Sequence, residues 1–383
     1  MYDVALIHYG EIGTKGANRP TFENALVKNI KWSLENRVSD VLRLRGRVLA
    51  RLEPGVDSEE IRQALGRVFG IAWFALAYES EQDIDTMVKD ILKRLTEYGI
   101  KAKSFMIQTK RADKNFPYTS LEVNRIVGAK IVENTSMSVD LENPDITVFI
   151  ELAGGKAYLY FEKIKGLGGL PVGVSGKVLN LLSGGLDSPV AAWLMMKRGC
   201  HVDFLHLHAL RSMQELQNSK VVEIFRHLSS FCKGSKLFVV PFYKFLERAL
   251  KAPERLELVL FRKFMLKAAE SLAKREGYLG IVTGDSIGQV ASQTLRNIWS
   301  AQKGLGVPVY RPLLTYDKEE IVRLAKQIGT YELSLKEYKD CCSIIAKHPE
   351  TSSKPEIVQE VWDKLGLEDA VAETLSLVES LEY

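Results

Sequence analysis

The period of the apolar positions changes along the chain, and the changes divide it. Tyr2–Tyr9 is an apolar, strand-like run and Thr21–Asn36 a helix-like one. Val41–Leu52 reads as short β pieces, Pro54-Gly55 as a turn, and Ser58–Phe69 as a helix with Glu59 and Glu60 in its first turn and Ile61 and Leu65 behind them. A second set follows: helix Asp83–Tyr98, strand Ser104–Thr109, helix Ser120–Asn134, strand Ile146–Leu152 and strand Lys156–Ile164. Strands and helices mixed in this way predict two small α+β domains, over residues 1–60 and 61–165. Gly166–Gly176 then places five glycines and a proline between two strand signals, the composition of a linker or of a loop that approaches something closely. From 177 to 383 strand and helix alternate: Val178–Leu182, Pro189–Arg198, His201–Leu207, Ser219–Phe231, Lys236–Pro241, Leu256–Glu276 and Gly280–Gly284. That alternation predicts an α/β domain with a doubly wound parallel sheet.

One stretch of the third region carries chemistry of its own. In Leu181-Leu-Ser-Gly-Gly-Leu-Asp-Ser-Pro189 an apolar strand runs into a glycine pair and a helix opens at about Ser188. Pro189 suits a first helical turn, and Gly199 suits the position just past the helix. Gly184 and Gly185 allow positive φ and let a phosphate approach the backbone. Loop N–H groups, the helix N-terminus and the hydroxyls of Ser183 and Ser188 make an anion site at the carboxyl end of a strand. Asp187 repels anions, which points to a bound Mg²⁺ or a positioning role. The loop is not the GxxxxGK[ST] type.

Composition changes the picture only when resolved along the chain. The 383 residues are 46% hydrophobic and 26% charged, which excludes collagen-like, disordered and disulfide-scaffold classes. No stretch approaches the roughly 18 apolar residues of a membrane span, and the N-terminus lacks the basic flank of a signal peptide. Four cysteines without a CxxC pair fit a reducing cytoplasm and no zinc site. The net charge of +4 conceals a neutral segment 1–150, a 151–350 segment with 29 basic and 19 acidic residues, and an acidic 351–383 tail. The basic segment suits a polyanion or is a solvated basic surface.

The Ser183–Pro189 loop resembles the SGGxDS loop of the PP-loop ATP pyrophosphatases, which cleave ATP between its α- and β-phosphates and adenylate a carbonyl-type oxygen. Three further stretches resemble the tRNA 4-thiouridine synthetases (tRNA uridine 4-sulfurtransferases, the ThiI family): Thr283–Thr294, Tyr310–Ile321 continuing to Tyr331, and Asp340-Cys-Cys-Ser-Ile-Ile-Ala-Lys-His-Pro349. Gly10-Glu-Ile, Lys15–Arg19 and Phe22 resemble that family's ferredoxin-like domain. Lys110–Pro117 with Ser120–Arg125 and Gly128 resembles its THUMP domain, an RNA-binding module. The resemblance spans nearly the whole chain. It implies a short form, since no room remains for the rhodanese domain that many members carry.

By position, the resemblance implies ATP contacts at Leu181, Leu182, Ser183, Gly184, Gly185, Asp187, Ser188, His206, Leu207, Arg262, Gly284 and Gln293. It implies an essential lysine at Lys318 and the sulfur-carrying cysteine at Cys342. A guanidinium at 262 can neutralise phosphate charge. Cys342 lies among Lys339, Lys347 and His348, whose positive charge favours a thiolate. Cys341 is either a bystander or the thiol that resolves a Cys342 disulfide; adjacent Cα atoms only about 3.8 Å apart make a direct 341–342 bridge strained. Cys200 and Cys232 read as core residues. His206 and His208 share one strand face; a metal pair and an adenine contact with ordinary packing are both readings, and no third ligand lies nearby.

On the RNA side, Lys101, Lys103, Lys110, Arg111 and Lys114 are interleaved with Phe105, Phe116 and Tyr118, which suits phosphate contact with base stacking or a solvated loop over core aromatics. Lys15, Arg19, Lys110, Arg111, Lys114 and Phe116 are the expected tRNA contacts. The family implies ATP and Mg²⁺ as cofactors and tRNA as partner. It also implies a cysteine desulfurase or other persulfide donor, a homodimer and a link to thiamine biosynthesis. Another PP-loop ligase, or a non-catalytic RNA-binding protein with a relic loop, would share parts of this pattern.

Overall fold

The structure, a computed structural model, describes residues 2–97, 99, 101–209, 213–338 and 350–382. The chain forms two compact units, residues 1–170 and 171–383, so the division falls inside the glycine-rich segment.

The first unit contains β1 (Val4–Tyr9), α1 (Arg19–Leu34), β2 (Val38–Leu44), β3 (Arg47–Leu52), α2 (Ser58–Leu65), β4 (Ile71–Glu81), α3 (Ile84–Glu97), β5 (Ser104–Arg111), α4 (Ser120–Asn134), β6 (Ser138–Val139), β7 (Ile146–Ala153), β8 (Lys156–Tyr160) and β9 (Ile164–Lys165). Among the described residues the strands form one sheet in the order β2-β3-β1-β4-β8-β7-β5-β6, with β9 beside β4. The eleven-residue β4 joins two halves: Phe74 pairs with Ile7 of β1, and Tyr78 pairs with Leu159 of β8. α1 and α2 bury Leu26, Ile30, Ile61 and Leu65 against β1 and β3; α3 and α4 bury Met87, Ile91, Val123 and Val127 against β5 and β7. The sequence pattern did not show β4. Its segment Ile71–Tyr78 is apolar without alternation, because both of its faces are covered, and such a run has no period-2 signature. The predicted strand Lys156–Ile164 is two strands: β8 ends at Tyr160, and β9 returns to pair with Trp73 and Phe74.

The second unit contains β10 (Lys177–Leu181), α5 (Asp187–Lys197), β11 (His201–His208), α6 (Met213–Gln217), α7 (Lys220–Ser229), β12 (Lys236–Pro241), α8 (Tyr243–Ala249), α9 (Glu254–Glu276), β13 (Ile281–Val282), α10 (Leu295–Gln302), β14 (Val309–Tyr310), α11 (Lys318–Ile328), α12 (Tyr331–Leu335), α13 (Pro355–Lys364), α14 (Leu367–Leu375) and β15 (Glu379–Glu382). Strand order is β14-β13-β10-β11-β12-β15, parallel throughout except the β12–β15 edge pair. The chain runs from β10 outward to β12 and then returns to the other side of β10 as β13. This reversal opens a crevice at the carboxyl ends of β10 and β13, where open α/β sheets bind ligands. The 23-residue α9 covers one face with Val259, Leu260, Phe261 and Phe264 in the core. Gly199, as expected, follows α5 with φ +86°; a Cβ there would lie 2.6 Å from the Val174 side chain. Among the described residues no helix is long and apolar enough to cross a membrane.

Candidate nucleotide site and nucleic-acid interface

The crevice of the second unit holds a cavity of about 390 Å³, lined by the ends of β10, β11 and β13, the start of α5, one face of α9 and the 283–293 loop. That is within the size range of ligand pockets. Of the residues expected to contact ATP, Leu181, Leu182, Ser183, Asp187, Ser188, His206, Leu207, Arg262, Gly284 and Gln293 all line it. Leu258, Arg262 and Met265 reach it together because they lie at i, i+4 and i+7 of α9.

Local chemistry explains the loop. Ser188, inside the first turn of α5, turns its hydroxyl back to accept from the Ser183 N–H (2.8 Å) and to meet the Ser183 hydroxyl (3.0 Å). The Gly185 N–H donates to Ser183 Oγ at 3.3 Å. Neither Gly184 nor Gly185 is among the glycines with positive φ. The steric demand for glycine instead falls at Gly284, where a Cβ would lie 2.7 Å from Ser188 N and 2.8 Å from Asp187 C. The β13 loop therefore lies directly on the phosphate-type loop.

The polar groups of the cavity are arranged around two carboxylates. Asp187 accepts from the Gln289 amide at 3.2 Å. Burial pushes its carboxyl above the ordinary range, Gln289 and the Lys318 charge oppose this, and Asp285 adds to it. Lys318, the first residue of α11, thus acts on Asp187 through its field although it does not line the cavity. Asp285 is 2% exposed and pairs with Arg262 through Oδ1. Its Oδ2 accepts from Arg311 Nε at 2.9 Å and from the Thr283 hydroxyl at 2.9 Å. Burial alone would raise its pKa; Arg262, Arg311 and Thr283 outweigh that and hold it below the usual carboxylate range. Arg262 Nε is buried and has no hydrogen-bond acceptor. Asp285, Arg311 and Gln289 were not singled out from sequence. They lie in two of the stretches that carry the family resemblance, but only the fold brings them together.

His206 is buried, and burial lowers its pKa to about 4, so the ring is neutral. Its Nδ1–H donates to Leu182 O at 2.8 Å, and its Nε2 accepts from the Tyr338 hydroxyl at 2.8 Å. Both ring nitrogens are committed, which removes the metal-pair reading of His206 and His208. No cluster of three or more metal-ligating side chains occurs among the described residues. Mg²⁺ held by one carboxylate and by substrate phosphates still fits: Asp187 is the carboxylate not taken by arginine, and a cation beside it would favour its ionised form. Cys200 and Cys232 are buried and free, as expected of core residues. Cys341 and Cys342 lie outside the described residues.

In the first unit the expected RNA contacts divide. Lys110 and Lys114 are exposed. Arg111 is not a free cation for phosphate: its Nη1 donates to Phe116 O (2.9 Å) and Tyr118 O (2.8 Å), holding the loop after β5. Phe116 is 8% exposed and part of the core over α3 and α4, so its ring is not open to stacking; the Tyr118 ring is 39% exposed. Lys15 pairs with Glu11 at 3.3 Å, and Arg19 binds Glu23 (2.7 Å) and the Tyr9 hydroxyl (2.6 Å). Arg19 nevertheless lines an open hollow of about 460 Å³ with Arg43 and Arg45. On the sheet face Lys163 stands 5.1 Å over the Trp73 ring and 4.1 Å over Phe149, and Trp73 stacks on His8 at 3.9 Å. Partial desolvation lowers the pKa of Lys163, and partial desolvation with the charges of Arg47 and Lys163 lowers that of Lys110. Lys163 and Trp73 are 90 residues apart in sequence, so no local motif announced their pairing.

Comparison with known proteins bears on both sites. A family model described as thiamine biosynthesis protein (ThiI) matches residues 173–367, a THUMP domain model matches 78–162, and a ThiI ferredoxin-like domain model matches 4–75. A probable tRNA sulfurtransferase of Caldanaerobacter subterraneus is 43% identical over 95% of this chain and 96% of its own. Another, of Coxiella burnetii, is 38% identical over 100% and 99%. Among solved structures, a crystal structure of a 4-thiouridine synthetase–RNA complex with bound ATP superposes with a TM-score of 0.88 at 34% identity, covering all of both chains.

Proposed function

The chain belongs to the ThiI family of tRNA sulfurtransferases, and on that premise we propose that it makes 4-thiouridine at position 8 of tRNA by adenylation followed by sulfur transfer. The single observation that carries the reading is the cavity at the β10–β13 crevice, where ten residues expected to touch ATP line one wall system. The ATP and RNA of the solved relative favour the same two ligands here.

The uracil 4-oxygen is a poor leaving group. In the proposed first step it attacks the α-phosphate of ATP and pyrophosphate departs. The Ser183–Ser188 loop and Arg262 hold the phosphates, Lys318 adds positive charge, and Asp187 would hold Mg²⁺, which supplies charge neutralisation when bound. In the second step the terminal sulfur of a Cys342 persulfide attacks C4 and AMP leaves with the former 4-oxygen. A second thiol, Cys341 or one on another protein, then cleaves the S–S bond.

Lys110, Lys114, Lys163 and the arginine hollow of the first unit would bind the tRNA. A cysteine desulfurase is the proposed sulfur source, and a cytoplasmic homodimer the proposed form. The description of the family model favours sulfur supply to thiamine biosynthesis as a second use.

The test is purified protein with ATP, Mg²⁺, a persulfide donor and unmodified tRNA, followed by nucleoside analysis. 4-Thiouridine is expected. Cys342→Ser should keep ATP binding and lose thiolation; retained thiolation would remove Cys342 from the reaction. AMP formation without thiolation would favour a different PP-loop ligase.

A further inference from the structure

The expected ATP contacts include Arg262 but leave open what keeps its guanidinium at the cavity. Arg262 sits on α9, Asp285 in the loop after β13, and Arg311 just after β14, so three separate elements meet at one carboxylate. Asp285 has no surface to spare: it is 2% exposed, and its two oxygens are divided between the two arginines, with Thr283 on the second. The same loop is tied to the segment after β14 by two more bonds, Ile287 N–H to Leu314 O at 3.1 Å and the Ser286 hydroxyl to Tyr316 O at 2.8 Å. That segment ends at the Asp317–Glu320 capping box, which starts α11 at Lys318. The network therefore reaches both cations assigned to the phosphates.

Its charge has a second consequence. Two carboxylates line the cavity, Asp187 and Asp285. With Asp285 saturated by Arg262 and Arg311, Asp187 is left to Gln289.

We propose that Asp285 and Arg311 are positioning residues for the adenylation step, clamping Arg262 at the cavity wall, while touching no reacting atom themselves. The proposal rests on the nucleotide reading above. Removing the Asp285 charge leaves the cavity more positive, so ATP is still attracted, but Arg262 no longer stands where the transferring phosphoryl group needs it. Misplacement of a positioning group by about 1 Å costs on the order of 10²-fold in rate.

The experiment measures ATP affinity by calorimetry and AMP formation in single turnovers with tRNA, using the full chain. Asp285→Asn and Arg311→Gln should each hold the ATP dissociation constant within about threefold while the AMP-forming rate falls on the order of 10²-fold. The double variant should be no slower than the slower single one, because both act through Arg262. Equal losses in affinity and rate, additive rate losses, or a full rate in either variant would overturn the proposal. If Asp285→Asn fails to fold, Arg311→Gln and Arg311→Lys carry the test; the lysine keeps the charge without the fork geometry and should leave affinity intact and the rate reduced. Arg262→Ala separates the two claims. It should weaken ATP binding, and if it does not, the nucleotide reading itself fails.

Discussion

Each unit buries a carboxylate against arginine, and the two sites differ in what surrounds them. Glu151, on β7, is 0% exposed; it pairs with Arg47, accepts from His8 at 3.1 Å and lies 3.4 Å from the Tyr160 hydroxyl. Asp285 is almost as buried and holds two arginines. Glu151 lies inside the eight-residue β7, and its partners Arg47, His8 and Tyr160 lie on the strands β3, β1 and β8. Asp285 lies beyond the end of a two-residue strand, where the sheet stops and a cavity begins. The same acid–guanidinium chemistry is structural in the first place and faces a ligand space in the second. Position relative to the strand ends decides which.

The comparison can be broken most sharply at Gly284. Gly284→Ala places a Cβ against the backbone of Asp187 and Ser188, so the loop must shift; the AMP-forming rate should fall on the order of 10²-fold, as expected when a positioned site moves by about 1 Å. tRNA binding by the first unit, measured by gel shift, should be unchanged. A full AMP-forming rate would mean that the loop is not held as described.

Glu151→Ala is the converse. It strands Arg47 in the sheet and should cost about 3–5 kcal/mol of stability, read as a lower denaturation midpoint, with ATP affinity preserved in the protein that remains folded. A change below about 1 kcal/mol would mean that the pair contributes little.

His206 sharpens the comparison through pH. Its folded pKa of about 4 lies below the ordinary 6.5, so the unfolded chain binds more protons between those values. The stability it contributes is therefore full above about pH 6.5 and is lost as pH falls toward 4, by on the order of 3 kcal/mol. His206→Gln should flatten the denaturation midpoint across that window. His8, lowered to about 3 by burial and by Lys110, Arg47 and Lys163, gives a loss of the same sign in the first unit, extending to lower pH.

The smallest effect is expected at the surface. Lys110→Ala with Lys163→Ala should weaken tRNA binding by about 1 kcal/mol per contact and reduce the salt slope by about 0.7 for each single-strand phosphate lost. An unchanged slope would move the interface to the hollow lined by Arg19, Arg43 and Arg45. Arg111→Ala belongs to another class, since it releases the carbonyls of Phe116 and Tyr118 and should disturb the loop itself.

Much of this was legible in the residue order. The strand–loop–helix of Leu181–Pro189 is a local signal: apolar run, glycine pair, proline in the first turn. The amphipathic helices and the glycine-rich division near residue 170 are equally local. The sequence pattern failed where burial is two-sided or absent. β4 is apolar on both faces and shows no alternation, and β15, Glu-Ser-Leu-Glu at a sheet edge, is too polar to announce a strand. Single residues were misjudged where a partner lies in another element or where type outweighed environment. Phe116 and Arg111 have the right type for RNA, but one is core and the other caps carbonyls. The glycine pair of the loop is the local signal, whereas the stricter steric demand for glycine lies about 100 residues on, at Gly284.

By itself the sequence determined the kinds of element, their order and the loop chemistry, because those depend on neighbours a few residues apart. It also carried the family, through motifs whose order needs no coordinates. Only the tertiary structure decided that Asp285 holds Arg262 and Arg311, that Lys318 acts on Asp187, that both nitrogens of His206 are spent, and that Lys163 covers Trp73. Each of these depends on which strand ends and helix faces the sheet order brings together, and that order is set by the packing of the whole unit and not by any one segment.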